Sequence, residues 1–375
     1  MIKQCSSFVL WLCLIVTVLQ AHAAPTIMSS QDVLSTPGTL LHVSKPEFQP
    51  VRGKSFNIPF QLNESAQVQI QLYTADGDLL HELKSNESLQ PGKHYLTWDG
   101  NDAKGLVVPD EAYIPVLNIE LTSGEKFIQD PRTYSGGEIL EDLRWRLRKK
   151  TEIAYELPAP ARVLIRAGIK EGPMMRAFTH WEPRISGKIV QRWDGYDVDK
   201  VDYFAQHKKA WVLVMAYQLP EFAIITTGNK ELSYRDYRKL RQWKRATADF
   251  TKVKLHRNGV RLEREYFLPR GFIPQVELSI KDKLPRSKKQ LPIAKGKLNF
   301  EINIPKEDRW VLESDMYEIG FFVDYEFMGE EEQGFVPMIW SIDTKDLKPG
   351  RHIATVQITG FGGYVVSRTM AFETQ

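Results

Sequence analysis

Two short stretches of the chain concentrate side-chain oxygens. Asp99, Asn101 and Asp102 form the first; Asp194, Asp197, Asp199 and Asp202 form the second. Calcium binding requires six or more oxygen ligands, and Asp194, Asp197 and Asp199 are the residues on which a calcium loop would rest. Neither stretch carries the glycine and distal glutamate of an EF-hand loop. The competing expectation is a solvated turn whose carboxylates bond backbone amides. Both stretches grow out of one triplet, Trp98-Asp99-Gly100 and Trp193-Asp194-Gly195. There the tryptophan would bury a large ring, the aspartate would cap the turn, and the glycine would take positive φ. On this expectation Trp98, Asp99, Gly100 and Asp102, with Trp193, Asp194, Gly195 and Asp197, are structural.

Other chemistry is scarce. The histidines are scattered, with none at metal-ligand spacing, and there is no Gly-x-Ser-x-Gly, phosphate loop, dinucleotide fingerprint or His-Glu-x-x-His. The only cysteines, Cys5 and Cys13, precede residue 24. Residues 24–375 therefore offer no disulfide, thiol nucleophile or thiolate metal site. No catalytic residue and no cofactor is expected. Fifty basic residues against 47 acidic ones leave the chain near neutral, which argues against nucleic acid as a partner.

The elements that would position these residues are written twice. Residues 56–102 and 151–197 match at an offset of 95: Ile58, Phe60 and Leu62 with Ile153, Tyr155 and Leu157; Gly92-Lys93 with Gly187-Lys188. Such a repeat means tandem domains. Ala112 to Leu121 matches Ala210 to Leu219 at an offset of 98, so three residues are inserted after the second Trp-Asp-Gly turn. Within the first copy Val68, Ile70 and Leu72 alternate with glutamines, the mark of a half-buried strand. Several short strands with turns at this spacing predict antiparallel sandwiches.

The opening residues read as a secretory signal: Lys3, the apolar run Phe8 to Leu19, then Ala21-His22-Ala23. The run is too short to span a bilayer, where about 20 apolar residues are needed, and no second run of that length follows. The expected division is signal 1–23, linker or early edge strand 24–44, first sandwich 45–122, linking insert 123–150, second sandwich 151–222, basic insert 223–270 and third unit 271–375. In the linking insert, Glu138 to Leu147 runs from acidic to basic and suits a short helix. In the basic insert, Ser233 to Arg245 predicts a helix carrying Tyr234, Tyr237, Leu240 and Trp243. Asn258-Gly259 predicts a hairpin pairing Arg257 with Val260 and Leu255 with Leu262. In the third unit Tyr317 to Phe327 alternates, Glu330-Glu331-Glu332 reads as a hairpin tip, and Pro349-Gly350-Arg351-His352 echoes Pro91-Gly92-Lys93-His94. Val356 stands where the tryptophan would be, so this is read as a diverged third sandwich.

The first repeat resembles the immunoglobulin-like domain of the flagellar hook-capping (FlgD-type) proteins. The resemblance rests on Ile58-Pro59-Phe60-Gln61-Leu62, Ala66-Gln67-Val68, Leu72-Tyr73-Thr74-Ala75-Asp76-Gly77, Pro91-Gly92-Lys93-His94, Trp98-Asp99-Gly100-Asn101-Asp102, Gly105 and Tyr113. It covers residues 45–122 well and 151–222 in part; the second copy has no counterpart of Gly105 and has Gly168 in place of Tyr73. It implies the fold and no activity, since such modules sit in proteins of many roles. A secretory signal is not expected on a hook-capping protein.

The chain is thus read as all-β, tandem immunoglobulin-like sandwiches with short helical and hairpin inserts. Its expected role is a non-enzymatic secreted or periplasmic scaffold docking protein partners of a cell-envelope or surface assembly. The alternative is a carbohydrate-binding array for polysaccharide processing. The residues singled out for an interaction surface are Trp145, Trp181, Tyr234, Tyr237, Arg241 and Trp243.

Overall fold

Period-two alternation becomes strand in both repeats. The structure, a computed structural model, describes residues 26–27, 36–243, 255–262, 264–268, 270, 273–313 and 316–375. The expected signal, about half of the linker, part of the basic insert and four residues of the third unit lie outside the described residues. In the first sandwich one sheet holds Ala66–Thr74, Leu79–Lys84, Ala112–Leu121 and Lys126–Gln129. The facing sheet holds Gly38–Leu40, Phe56–Leu62 and Gly92–Trp98. Ile58, Phe60, Leu62, Val68, Ile70 and Leu72 all point into the space between. Tyr113 fixes the corner by donating its buried hydroxyl to the Pro109 carbonyl at 3.0 Å.

The second sandwich repeats the plan. Ala161–Ile169, Met174–Arg184 and Ala210–Gln218 face Trp145–Arg148, Glu152–Leu157 and Gly187–Arg192. The helix expected over Glu138 to Leu147 is not formed. Trp145–Arg148 is an edge strand that turns at Lys149 and Lys150, with φ of 50° and 61°, and pairs antiparallel with Glu152–Leu157. Trp145 and Leu147 alternate with Arg146 and Arg148, and an open sheet edge rewards that period over a short helix's dipole. Gly38–Leu40 has the same place in the first sandwich, pairing with Phe56–Leu62.

The third unit is a sandwich of different connection. Glu277–Ile280, Lys297–Asn303 and Met338–Asp343 face a sheet ordered Ile293–Ala294, Val365–Thr374, Gly350–Gly360, Tyr317–Val323, Glu326–Glu331. In the repeats, the strand that begins at Gly92 or Gly187 leads through the Trp-Asp-Gly turn to a strand of the other sheet. Here Gly350–Gly360 runs straight through the buried Val356 and returns as a hairpin within one sheet. The alternating run Tyr317 to Phe327 is also two strands, reversed at Asp324 and Tyr325 with φ of 49° and 73°. Glu330 and Glu331 pair with Gly320 and Ile319 inside the second of these, so the three glutamates are not a hairpin tip. The histidine echo does hold locally: His94 Nε2 bonds the Gln90 carbonyl and His352 Nε2 the Lys348 carbonyl, each at 2.7 Å.

The chain then doubles back. Ile224–Thr226, which follows the second sandwich, adds to the first, with Ile224 opposite Tyr113 and Ile225 opposite Ala112. Helix α1 (Tyr234–Leu240), capped by the Ser233 hydroxyl, lays Tyr237 into the first sandwich's core. It is shorter than the stretch expected to be helical. The Asn258-Gly259 hairpin has the expected register, with Arg257 opposite Val260 and the Leu262 amide donating to the Leu255 carbonyl. A second helix, α2 (Lys306–Glu313), belongs to the third sandwich. Among the described residues no helix is long and apolar enough to cross a membrane.

Candidate functional site

The oxygen-rich turns are the places where later parts of the chain dock. Trp98 is fully buried, edge-on to Phe48 and Tyr113 at 5.4 and 5.2 Å, and its Nε1 donates to the Asn101 carbonyl at 2.8 Å. Asp99 accepts from the Asn101 amide at 2.9 Å. Gly100 has φ of 81°, and a Cβ there would lie 2.2 Å from Pro50. Asp102 takes the amides of Lys104 and Leu106 on one oxygen. Its other oxygen takes the Tyr237 hydroxyl at 2.8 Å and the Arg241 guanidinium. Burial pulls the Asp102 carboxyl up, but Tyr237, the two amides and Arg241 outweigh it and hold it below the usual range. This turn is the seat of α1.

The second turn is the seat of the third sandwich. Asp197, fully buried, accepts the amides of Asp199, Val201 and Asp202 at 2.7, 3.2 and 2.6 Å. Asp199 accepts the Thr369 amide at 2.7 Å, Asp202 accepts the Tyr325 hydroxyl, and the Val201 carbonyl accepts from Arg351 at 2.7 Å. Asp194 pairs with Arg176 and Lys200. The calcium candidates are therefore engaged by amides and cations, and among the described residues no cluster of three or more His, Cys, Asp or Glu side chains is placed to hold a metal ion. The extra residues signalled by the change of offset belong to this contact. Trp193 is less buried than Trp98, and its Nε1 has no partner.

The basic insert fastens the body together. Arg238, fully buried, pairs with Asp76 and Asp78, and Tyr234 donates to Asp76 at 2.8 Å. From the other face of α1, Arg235 and Lys239 reach Asp308 on α2, which is buried in the third sandwich's edge. Arg257 holds Glu138 and the carbonyls of Ser135 and Gly136. Of the six residues singled out for an outer surface, Trp181 is 6 % exposed and stacked on Tyr217 at 4.4 Å. Tyr234, Tyr237 and Arg241 bind the first sandwich, and Trp243 packs edge-on against Tyr237 at 5.5 Å. Only Trp145, at 42 % exposed, faces outward. An aromatic-and-arginine stretch fits an intramolecular interface as well as an intermolecular one.

Two features gave no local sequence signal. Glu111 and Arg162, from different sandwiches, form a pair at 3.0 Å with both side chains nearly inaccessible. Burial pushes the Glu111 carboxyl up to about 7 against the pull of Arg162 and the Ala112 amide. Beside this pair a cavity of about 460 Å³ opens between the first two sandwiches and α1, lined in part by Glu111, His180, Arg184, Tyr234 and Arg270. Burial, then Arg166, drives His180 down to about 3, so it is neutral at physiological pH.

No family model matches the chain, and no curated protein matches it. Among solved structures it is similar to FlgD from P. aeruginosa, with 17% identity over 25% of this chain and 63% of that one, TM-score 0.20. It thus spans less than two thirds of that FlgD. It is also similar to the fibronectin(III)-like modules of CbhA from Clostridium thermocellum, with 9% identity over 90% of this chain and 94% of that one, TM-score 0.20. A tetra-tandem repeat from the extending region of a large adhesion protein matches with 9% identity over 90% of this chain and 73% of that one, TM-score 0.20.

Proposed function

We propose that the chain is a non-enzymatic secreted or periplasmic scaffold whose second sandwich docks an acidic, extended segment of an envelope or surface partner. The observation that carries this is the edge strand Trp145–Arg148, all four residues of which are exposed. The Glu156 amide bonds the Arg144 carbonyl, so the antiparallel alternation turns Arg144, Arg146 and Arg148 toward the sheet's hydrogen bonds. The N–H and C=O of Trp145 and Leu147 are left facing the open edge. Arg144, Arg146, Arg148, Lys149 and Lys150 belong to this edge and its turn, while Lys188 and Arg192 lie opposite Glu156 and Glu152 on the strand beyond. Trp145 and Leu147, 42% and 39% exposed, add apolar contact. A strand-shaped acidic segment satisfies edge, charge and apolar side chains together. The bland alternative is an edge protected from aggregation by its arginines.

The probe is a synthetic peptide of alternating Glu and Val added to residues 24–375. Expected are slowed amide exchange at Trp145 and Leu147 and binding that weakens with salt. Changing Arg144, Arg146 and Arg148 together to Glu is expected to weaken binding at least tenfold without lowering the melting temperature. Changing Lys288, Lys289 and Lys295 to Glu is expected to leave it unaltered. Absence of protection at Trp145 and Leu147, or equal losses in both variants, rejects the reading. The exposed Trp145 ring also supports the carbohydrate alternative. That reading instead predicts polysaccharide binding lost on Trp145→Ala and retained in the triple arginine variant.

A further inference from the structure

We propose that the cavity between the first two sandwiches and α1 is a binding site for a small organic monocarboxylate with an apolar body, held by Arg270. Arg270 lines the cavity and is 5% exposed. Its backbone amide donates to Asp76 at 3.1 Å, yet its Nε has no partner, and no carboxylate among the described residues pairs with its guanidinium. A buried guanidinium without an anion is costly, because it has given up its water with no opposite charge in return.

The other charges on the wall are already matched. Asp110 accepts the amides of Gly228 and Asn229 at 2.9 and 2.8 Å. Glu111 faces Arg162 at 3.0 Å, and Glu182 faces Arg184 at 2.7 Å. Arg270 is therefore the cation on the wall without a carboxylate of its own, and a single carboxylate on the ligand would supply one. A doubly charged phosphate would meet three carboxylates for the sake of one unmatched cation.

The wall also bears on the ligand's body. Apart from the neutral His180, polar side chains of the wall are engaged: Ser233 with Asp236, Thr227 with Glu47, Asn229 with Val108 and Leu232, and Tyr234 with Asp76. Leu232, Ile273, Pro183 and the Trp181 ring supply apolar surface. The volume of about 460 Å³ falls within the range of small-molecule sites, roughly 300–1,000 Å³. Trp181 keeps its place with a φ of 55°, a conformation that a bulky side chain holds only when its surroundings impose it.

The test uses residues 24–375, with acetate, hexanoate and benzoate as probes and inorganic phosphate for comparison. Hexanoate or benzoate is expected to raise the melting temperature saturably. Arg270→Met is expected to weaken that binding at least tenfold. Without ligand, Arg270→Met is also expected to melt no lower than the wild type, because it removes an unmatched buried charge. Three results overturn the proposal: no saturable response to any of the three carboxylates, an equal response in the variant, or a response to phosphate that exceeds the carboxylates'. A variant that unfolds at a lower temperature without ligand also overturns it, since Arg270 would then be a structural partner of the fold.

Discussion

Replacing Trp98 with alanine is expected to destabilise the protein by about 3–5 kcal/mol, the usual range for deleting a buried tryptophan. The side chain is fully enclosed, touches two aromatic rings edge-on and donates a hydrogen bond within its own turn. Its loss would open a cavity beneath Asp102, where α1 docks, so α1 should loosen with it. Trp193→Ala is the internal control. That ring is partly exposed and its Nε1 bonds nothing, so its removal should cost less. Urea titration followed by near-ultraviolet circular dichroism, with unchanged slope, would measure both. Equal costs would show that the two copies of the motif are not differentiated in the way their burial implies.

Arg162→Leu is expected to be nearly as damaging above neutral pH, because it strands Glu111 in the junction. Removing one partner of a buried ion pair costs about 3–5 kcal/mol. The pH dependence has a definite sign. The Glu111 carboxyl in the folded protein titrates at about 7, above its unfolded value. Its contribution to stability is therefore full below the ordinary carboxylate range and is lost as pH rises through about 7. In acid Glu111 is neutral in wild type and variant alike, and little ion pairing remains to lose. The variant's penalty should thus grow between pH 5 and pH 8. The double variant Glu111→Leu with Arg162→Leu should be close to the wild type and carry no such dependence. A penalty that is constant with pH would mean that Arg162 acts through packing alone.

The sequence showed the repeated parts well, because alternation and turn chemistry are local. The strands of both copies, the Asn258-Gly259 register and the hydrogen-bonding of the Trp-Asp-Gly turns follow from neighbours within a few residues. The edge strand Trp145–Arg148 is hidden because ten residues of graded charge suit a helix and say nothing about an unfilled sheet edge nearby. The third sandwich shares the Pro-Gly-x-His turn of the first repeat, yet its strands connect differently once the crossing turn has gone. The junction pairs were invisible for a different reason. Glu111 and Arg162 are 51 residues apart, and Arg238 and Asp76 are 162 apart. Nothing local distinguishes an arginine bound for a junction from one bound for solvent. One clue was available: the three-residue change of offset marked the loop that carries Asp199 and Asp202 to the third sandwich.

The central claim is that α1 and the two aspartate turns hold the three sandwiches as one body, so that the basic edge is presented in a fixed place. Residues 24–375 contain no cysteine, so spin labels can be placed cleanly at Tyr95→Cys and Phe361→Cys, on the exposed faces of the first and third sandwiches. Pulsed electron–electron double resonance should give a single narrow distance distribution. The distribution should broaden when Asp308→Ala releases Arg235 and Lys239. A broad distribution in the otherwise unaltered protein would contradict the claim, because the sandwiches would then move as separate beads on a string.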